Sequence, residues 1–560
     1  MSLLSVTPAE GVKITEDDLA VVAAKFGYEF KGDEKAEYTT LLAATCNAMQ
    51  FVSEMDGQFS NPRLLHDPDQ DRLPARAGLR LSATREHVRL PRSKRGLAKI
   101  PSYFPEKSDN PDNAWAHRFT LAHKSPATTL LQGKTVCIKD NICVAGVPCL
   151  IGTDTFTGWV PKMDATIVSR ILDAGGIIRG KAVCENLSTG AASYTAATGP
   201  VNNPYAKGYS AGGSSSGTAN LVAKGEVDLG IGADQGGSIR IPASLCGLVG
   251  FKATFGLVPY TGCVSNEATI DFVGPITKNC LDNALLLEAI AGVDGLDDRQ
   301  SAGTPFRRQV PKYSQLLLET QETGVKGMRI GILKESLISK ILDPGIDSKF
   351  RAAAKVFEEL GAVVEEVSIP IHEIAPALFG AASRQGGVMG RTGKASGRRQ
   401  VMLTDLYEKT LPCTAATIEK MSPVSKNTVF SGEFCWERFP HVYAKAVNLC
   451  RKLSEEYDAA LQRYDVLIMP TTITPADPLP AENDSVIVKM SKTIGKLDNT
   501  CPFNATGHPA LAFPIGFVPA KADKNIRVPA SMQIVGKHFD EITCLKVAYA
   551  WENARNWQEF

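Results

Sequence analysis

At 560 residues the chain is longer than one ordinary hydrophobic core, and length alone suggests two to four domains. A hydrophobic content of 44% with 22% charged residues is that of a globular protein, and 61 basic against 60 acidic side chains leave a net charge of +1, which gives no bulk reason to bind nucleic acid or a membrane surface. Thirteen cysteines without a CxxC pair, an odd number and many in apolar contexts such as TVCIKD and SLCGLVG, argue against a disulfide scaffold and for a reducing compartment. The start, MSLLSVTPAEG, lacks a basic region followed by an apolar run, and no stretch approaches about eighteen consecutive apolar residues, so no signal peptide or membrane span is expected and the cytoplasm is the default location.

Residues 15–56 read as two helices. Thr15 with Asp18 makes a capping box, Leu19, Val22, Ala23 and Phe26 then fall at helical spacing before Gly27, and Leu42, Cys46, Met49 and Val52 form a stripe on the second helix. From 57 to 115 the chain is polar and broken by prolines, with a basic run REHVRLPRSKR at 85–95 that reads as a solvated linker or a partner-facing surface. Residues 1–85 are therefore expected to be a helical segment packed on the main body or on a second subunit, and 86–560 to be the main body. From about 116 the texture is α/β: a strand at 134–140, a helix at 164–175, a strand at 177–183, then strand, helix and strand at 328–333, 346–361 and 362–369, and buried strands at 465–470 and 510–516. Strands alternating with helices predict a large mixed sheet covered on both faces, an α/β/α sandwich.

Between Gly208 and Gly262 thirteen glycines fall within fifty-five residues, around GGSSSG at 212–217 and DQGGSIR at 234–240. Glycine lets backbone N–H groups approach a ligand closely. Gly213 to Gly217 fits GxSxG, but the preceding NNPYAKGYSAG supplies no strand to aim the serine, and His372, His441, His508 and His538 have no distinguishing context. GGIIRGK at 175–181 fits the front of a P-loop, yet Ala182 stands where a hydroxyl should hold Mg²⁺. GIGADQGG at 230–237 is out of step with GxGxxG by one residue.

Three places join into a better reading. Lys139 ends TVCIKDN, Ser214 follows Gly212-Gly213, and Ser238 follows Gly236-Gly237 twenty-four positions later. With TVCIKDNICVAGVPCLIGT, SAGGSSSGTANLVA, GIGADQGGSIRIPASLCGLVGFKATFGLVP, TIDFVGPITKN and DNTCPFNATGHPALAFPIGF, the chain closely resembles the amidase signature family over roughly 116–555. The resemblance implies a Ser–cis-Ser–Lys triad of Ser238, Ser214 and Lys139, a cis peptide between Gly213 and Ser214, bracing by Ser215, Asp234 and Arg240, and the Gln235 side chain toward substrate. It also implies that an N-terminal helical segment contributes to a homodimer interface. Ser216 departs from the pattern, since the family often has glycine there.

These residue types suit cleavage of an amide. Ser238 is the expected nucleophile and needs a base to take its proton. Lys139, reached through Ser214, could be that base only if its ammonium form is disfavoured by burial, because a solvated lysine with a pKa of about 10.4 is almost wholly charged at neutral pH. Gln235, Gly236, Gly237 and Ser238 offer four successive backbone N–H groups for an oxyanion hole. Each of the three triad residues alone reads as a helix cap, a loop serine or a solvated strand end; all three in order and spacing do not. The expectation is a hydrolase of small amides, with carbamates, lactams and esters open, acting without metal or cofactor, since no ligand cluster such as HxxEH is present. The alternatives are the glutaminase subunit of a tRNA-dependent amidotransferase and an idle binding protein on the same scaffold. Pocket walls are expected from 193–209, 428–443 and 500–508.

Overall fold

The structure, a computed structural model, describes residues 13–56, 100–321 and 323–560. The basic run at 85–95 and the expected boundary at 85/86 lie outside these residues. Eleven strands build one sheet: β1 Trp115–Leu121, β2 Thr135–Lys139, β3 Ile177–Ala182, β4 Leu229–Asp234, β5 Val249–Lys252, β6 Phe272–Thr277, β7 Arg329–Leu333, β8 Val363–Val367, β9 Val466–Pro470, β10 Ala510–Pro519 and β11 Arg527–Val535. Their order is β1-β3-β2-β4-β6-β5-β10-β11-β9-β7-β8. β3, β2 and β4 run parallel, as do β8, β7 and β9, while the strands between pair antiparallel. Apart from β1, which pairs antiparallel with β3 at one edge, the sheet is therefore two parallel wings joined by an antiparallel centre.

The period-2 alternation of buried strands divides their side chains between the two faces of the sheet. Val136 and Ile138 of β2 and Ile468 of β9 join one large cluster with the helices Thr166–Asp173, Cys280–Ile290, Pro344–Glu359 and Glu541–Ala554. Cys137 of β2 joins the helix Ser216–Lys224 in a separate cluster, and Leu467 and Met469 of β9 join the helix Val442–Leu461 in a third. Helices thus cover both faces, as expected. Glycines in β4 permit the close fit: a Cβ at Gly230 would meet Thr218 Cγ2 at 2.5 Å, so the helix Ser216–Lys224 could not lie as near any larger residue.

The two N-terminal helices match the sequence reading, Glu16–Ala24 with the Thr15–Asp18 capping box and Glu34–Glu54. Leu19, Val22, Cys46, Met49 and Val52 pack against Leu378, Phe430, Phe434 and Leu449 of the body, so this segment completes a helical layer of its own chain. Among the described residues no helix is long and apolar enough to cross a membrane.

Candidate active site

The carboxyl ends of the parallel neighbours β2 and β4 deliver Lys139 and Asp234 to one crevice, the place where open α/β sheets put their reactive groups. Register separates Lys139 from its charged neighbour. Ile138 pairs with Lys181 and Lys139 with Ala182, so alternation sends Asp140 to the face of Lys181, where the two form an ion pair at 3.4 Å. Lys139, fully buried, instead puts Nζ 2.8 Å from Ser214 Oγ and donates to Ala233 O at 3.3 Å. Burial lowers its pKa to about 8, although Cys184, Asp234 and Glu185 act in the opposite sense.

Ser214 follows a cis peptide bond from Gly213. Its carbonyl accepts from Glu185 N–H at 3.1 Å and its hydroxyl donates to Ser188 O at 2.9 Å. Leu187 and Ser188 both adopt left-handed backbone, with φ of 52° and 55°, an uncommon conformation for such residues that turns the Ser188 carbonyl into this bond. A Cβ at Gly213 would overlap the Glu185 carboxylate. Ser215 Oγ lies 3.2 Å from both the N–H and the C=O of Ala233, tying the serine turn to β4. Ser216 opens the helix Ser216–Lys224 with ordinary negative φ, so the departure from glycine has no backbone consequence.

Ser238 follows Gly237, whose φ of +142° favours glycine. Asp234 shapes this turn, accepting from Gly237 N–H at 2.6 Å and Ile239 N–H at 3.1 Å. Arg240 clamps Asp234 through two bonds of 3.0 Å and reaches Asn504 Oδ1 at 2.7 Å, Thr500 O at 2.8 Å and Gln533 Oε1 at 2.8 Å. Burial alone would raise the Asp234 carboxyl, but the Arg240 guanidinium outweighs it and holds the group at about 2. Of the four expected N–H donors, Gly237 therefore points back at Asp234, leaving those of Gln235, Gly236 and Ser238 for a ligand.

Gln235, Gly236 and Ser238 line a cavity of about 130 Å³ with Ile270, Phe379 and Leu497. Gln235 Nε2 donates to Tyr260 OH at 2.9 Å, while Oε1 is buried and has no partner among the described residues. The walls differ from those expected. Of 193–209, 428–443 and 500–508 only Thr428 lines the cavity. The helix Ala375–Arg391 supplies Phe379, Ser383, Arg384, Gly387 and Arg391 instead, and Arg384 donates to Thr428 Oγ1 at 2.7 Å. Phe430 and Phe434 face the N-terminal helices, and Thr500 and Asn504 sit behind the Ser238 turn as its brace.

Sequence reasoning passes over Glu185, Ser188 and Asn266. Glu185 is buried, accepts from Ala192 N–H and Thr195 Oγ1 at 3.2 Å each, and has its pKa raised by burial to about 7. Asn266 Nδ2 donates to Ser188 O at 3.2 Å, the carbonyl that Ser214 also uses. The one available signal is a carboxylate three residues beyond a buried strand, in GKAVCEN. The residues of the P-loop near-miss form the turn after the helix Thr166–Asp173 and then β3, with both isoleucines inside the strand. No histidine lines the cavity among the described residues. Asp458, His508 and His538 bring three donor atoms within 4.8 Å of one another. Both ring nitrogens of His508 already have partners, Nδ1 with Thr506 Oγ1 at 2.9 Å and Nε2 with Asp458 Oδ1 at 3.1 Å.

Residues 110–545 match the family model described as Amidase. The chain is 38% identical over 460 residues to an enantioselective amidase of Rhodococcus rhodochrous, covering 80% of this chain and 84% of the relative. It is 35% identical to the glutamyl-tRNA(Gln) amidotransferase subunit of Exiguobacterium sibiricum, covering 76% and 84%. The solved peptide amidase of Stenotrophomonas maltophilia superposes with a TM-score of 0.59 at 28% identity, over 76% of this chain and 82% of that one. With its site at the ends of β2 and β4 and this match across most of its length, the chain belongs to the amidase signature family of hydrolases that act on amides.

Proposed function

We propose that the protein hydrolyses small carboxylic amides by acyl transfer through Ser238, with Ser214 as proton relay and Lys139 as base. The observation that carries this reading is a buried lysine amine, paired with no carboxylate among the described residues, 2.8 Å from a serine hydroxyl. Ser238 Oγ attacks the carbonyl carbon and its proton passes by way of Ser214 to Lys139 Nζ. Before that transfer the Ser214 hydroxyl leaves Ser188 O and turns its hydrogen to the neutral amine. The oxyanion is held by the free N–H groups of the 235–238 turn. As the C–N bond breaks, the proton returns along the same path to the leaving nitrogen, giving ammonia or an amine and an ester on Ser238. Water then repeats the sequence and frees the acid. A carbamate presents the same carbonyl to the same donors, so alkyl carbamates are a second class of substrate in this proposal. All thirteen cysteines are free, twelve of them buried, which supports a reducing, cytoplasmic setting.

The 35% identity to an amidotransferase component supports a second reading, a glutaminase working with partner chains. The test is ammonia release from a panel of amides, carbamates and glutamine, with Ser238→Ala alongside. Release that vanishes in a folded Ser238→Ala protein is expected, and full activity in that variant overturns the mechanism. A marked preference for glutamine, rising with added partner chains, would move the assignment to the second reading.

A further inference from the structure

Beside the cavity that holds Ser238 lies another of about 110 Å³. Its wall is apolar through Phe156, Leu187, Val264, Leu403, Leu406 and Met421. The two cavities share two lining residues, Asn266 and Arg391. Both are tied to the reactive array: Asn266 donates to Ser188 O, the acceptor of the Ser214 hydroxyl, and Arg391 Nη2 donates to Thr189 Oγ1. Leu187 connects the sites along the chain as well, since it precedes Ser188 directly.

Arg391 is the telling residue. Its other protein bond is a long one, Nη1 to Ser425 O at 3.4 Å, and no carboxylate pairs with it among the described residues. A guanidinium carries five N–H donors in a fixed fork, so several remain for a ligand oxygen. Burial, with Arg384 second, pulls its pKa down to about 10, which still leaves it charged at neutral pH. A charge held between two largely apolar chambers calls for an acceptor from whatever fills them. Each chamber is of the order of the ~150 Å³ that accommodates a benzene ring.

We propose that the physiological substrate spans both chambers: its reactive amide and one apolar group lie beside Ser238, a carbonyl-bearing linker passes Asn266 and Arg391, and a second apolar group fills the far chamber. The substrate class is then two-ended amides, such as amides of N-acylated aromatic or branched amino acids, in preference to short aliphatic amides. This deepens the function proposed above and rests on Ser238 being the reacting residue.

The test compares N-benzoyl-phenylalaninamide with benzamide on the full-length enzyme. The wild type is expected to favour the two-ended amide at least tenfold in kcat/KM, and Leu406→Trp, which fills the far chamber, to cut that ratio at least tenfold. Arg391→Met should cut it in the same direction. An unchanged ratio in both variants overturns the proposal. Met402→Trp, at a half-buried loop position of the same wall, replaces Leu406→Trp if that variant does not fold. Calorimetric binding of N-benzoyl-phenylalaninamide to Ser238→Ala, alone and combined with Leu406→Trp, separates the two readings. At least tenfold weaker binding in the double variant supports the far chamber whatever residue reacts, and equal binding refutes it.

Discussion

Lys139 and Lys181 sit on neighbouring parallel strands, one residue out of register, and neither is exposed to solvent. Their chemistry is nevertheless opposite. For Lys181, burial alone would lower the pKa, but Cys149 and Asp140 beside it outweigh burial and push it up, so it stays a structural cation. Lys139 faces the other way, toward a serine hydroxyl and a carbonyl, and burial wins. The strand pleat makes the difference: a single step along β2 decides whether Asp140 neutralises the lysine or leaves it able to give up its proton.

Replacing each lysine breaks the comparison in a different place. Lys139→Met should lower kcat/KM by about 10⁴-fold or more in a folded protein, the scale seen when one member of a catalytic unit is lost. Gly237→Ala comes next. The positive φ is unfavourable for alanine and the new Cβ would press on Thr500 and Ile241, so the Ser238 turn must shift, with an expected loss in kcat of about 10²–10³-fold, as for a lost oxyanion donor. Lys181→Met should act on stability, costing about 3–5 kcal/mol by leaving Asp140 buried and unpaired, while activity per folded molecule survives. Chemical denaturation together with active-site titration separates the two lysines; a Lys181→Met enzyme that is stable but inactive would contradict the assignment.

The pH profile sharpens the contrast without mutation. Only neutral Lys139 can accept a proton, so kcat/KM should fall below pH 8, by about tenfold per unit, and level off above it. The smallest expected effect is that of Glu185→Gln. The Glu185 carboxylate favours the charged form of Lys139, so removing it lowers the lysine pKa further and moves the acid limb to lower pH by less than about one unit. Movement to higher pH would show that Glu185 acts by some other route.

The three residues proposed as a triad are legible in the sequence because each stands in a short local pattern: a strand ending in lysine and two serines, each after paired glycines. The same locality keeps other parts hidden. The helix Ala375–Arg391 carries a proline and four glycines and so weakens its own helical signal, yet it forms much of the cavity wall. Aromatic content at 428–443 suggests a pocket, but Phe430 and Phe434 are turned to the N-terminal helices, a choice made by packing across nearly 400 residues. β4 reads as part of a glycine field; as a strand it is defined by pairing with β2 and β6, which no local pattern reveals. Asn266 becomes part of the site only because a distant carbonyl, that of Ser188, meets it in the folded chain.

The reach of Arg240 has a consequence for how the enzyme comes into being. Its guanidinium joins Asp234, in the first half of the chain, to Thr500, Asn504 and Gln533 near the other end. A nascent chain emerging from the ribosome holds Lys139, Ser214 and Ser238 long before it holds those partners. Until residue 533 has been made and docked, the turn that carries the reacting serine lacks its brace. In the function proposed above, competence to cut amides is therefore deferred until Gln533 has docked, and a chain truncated before it is expected to carry Lys139, Ser214 and Ser238 and yet be inert.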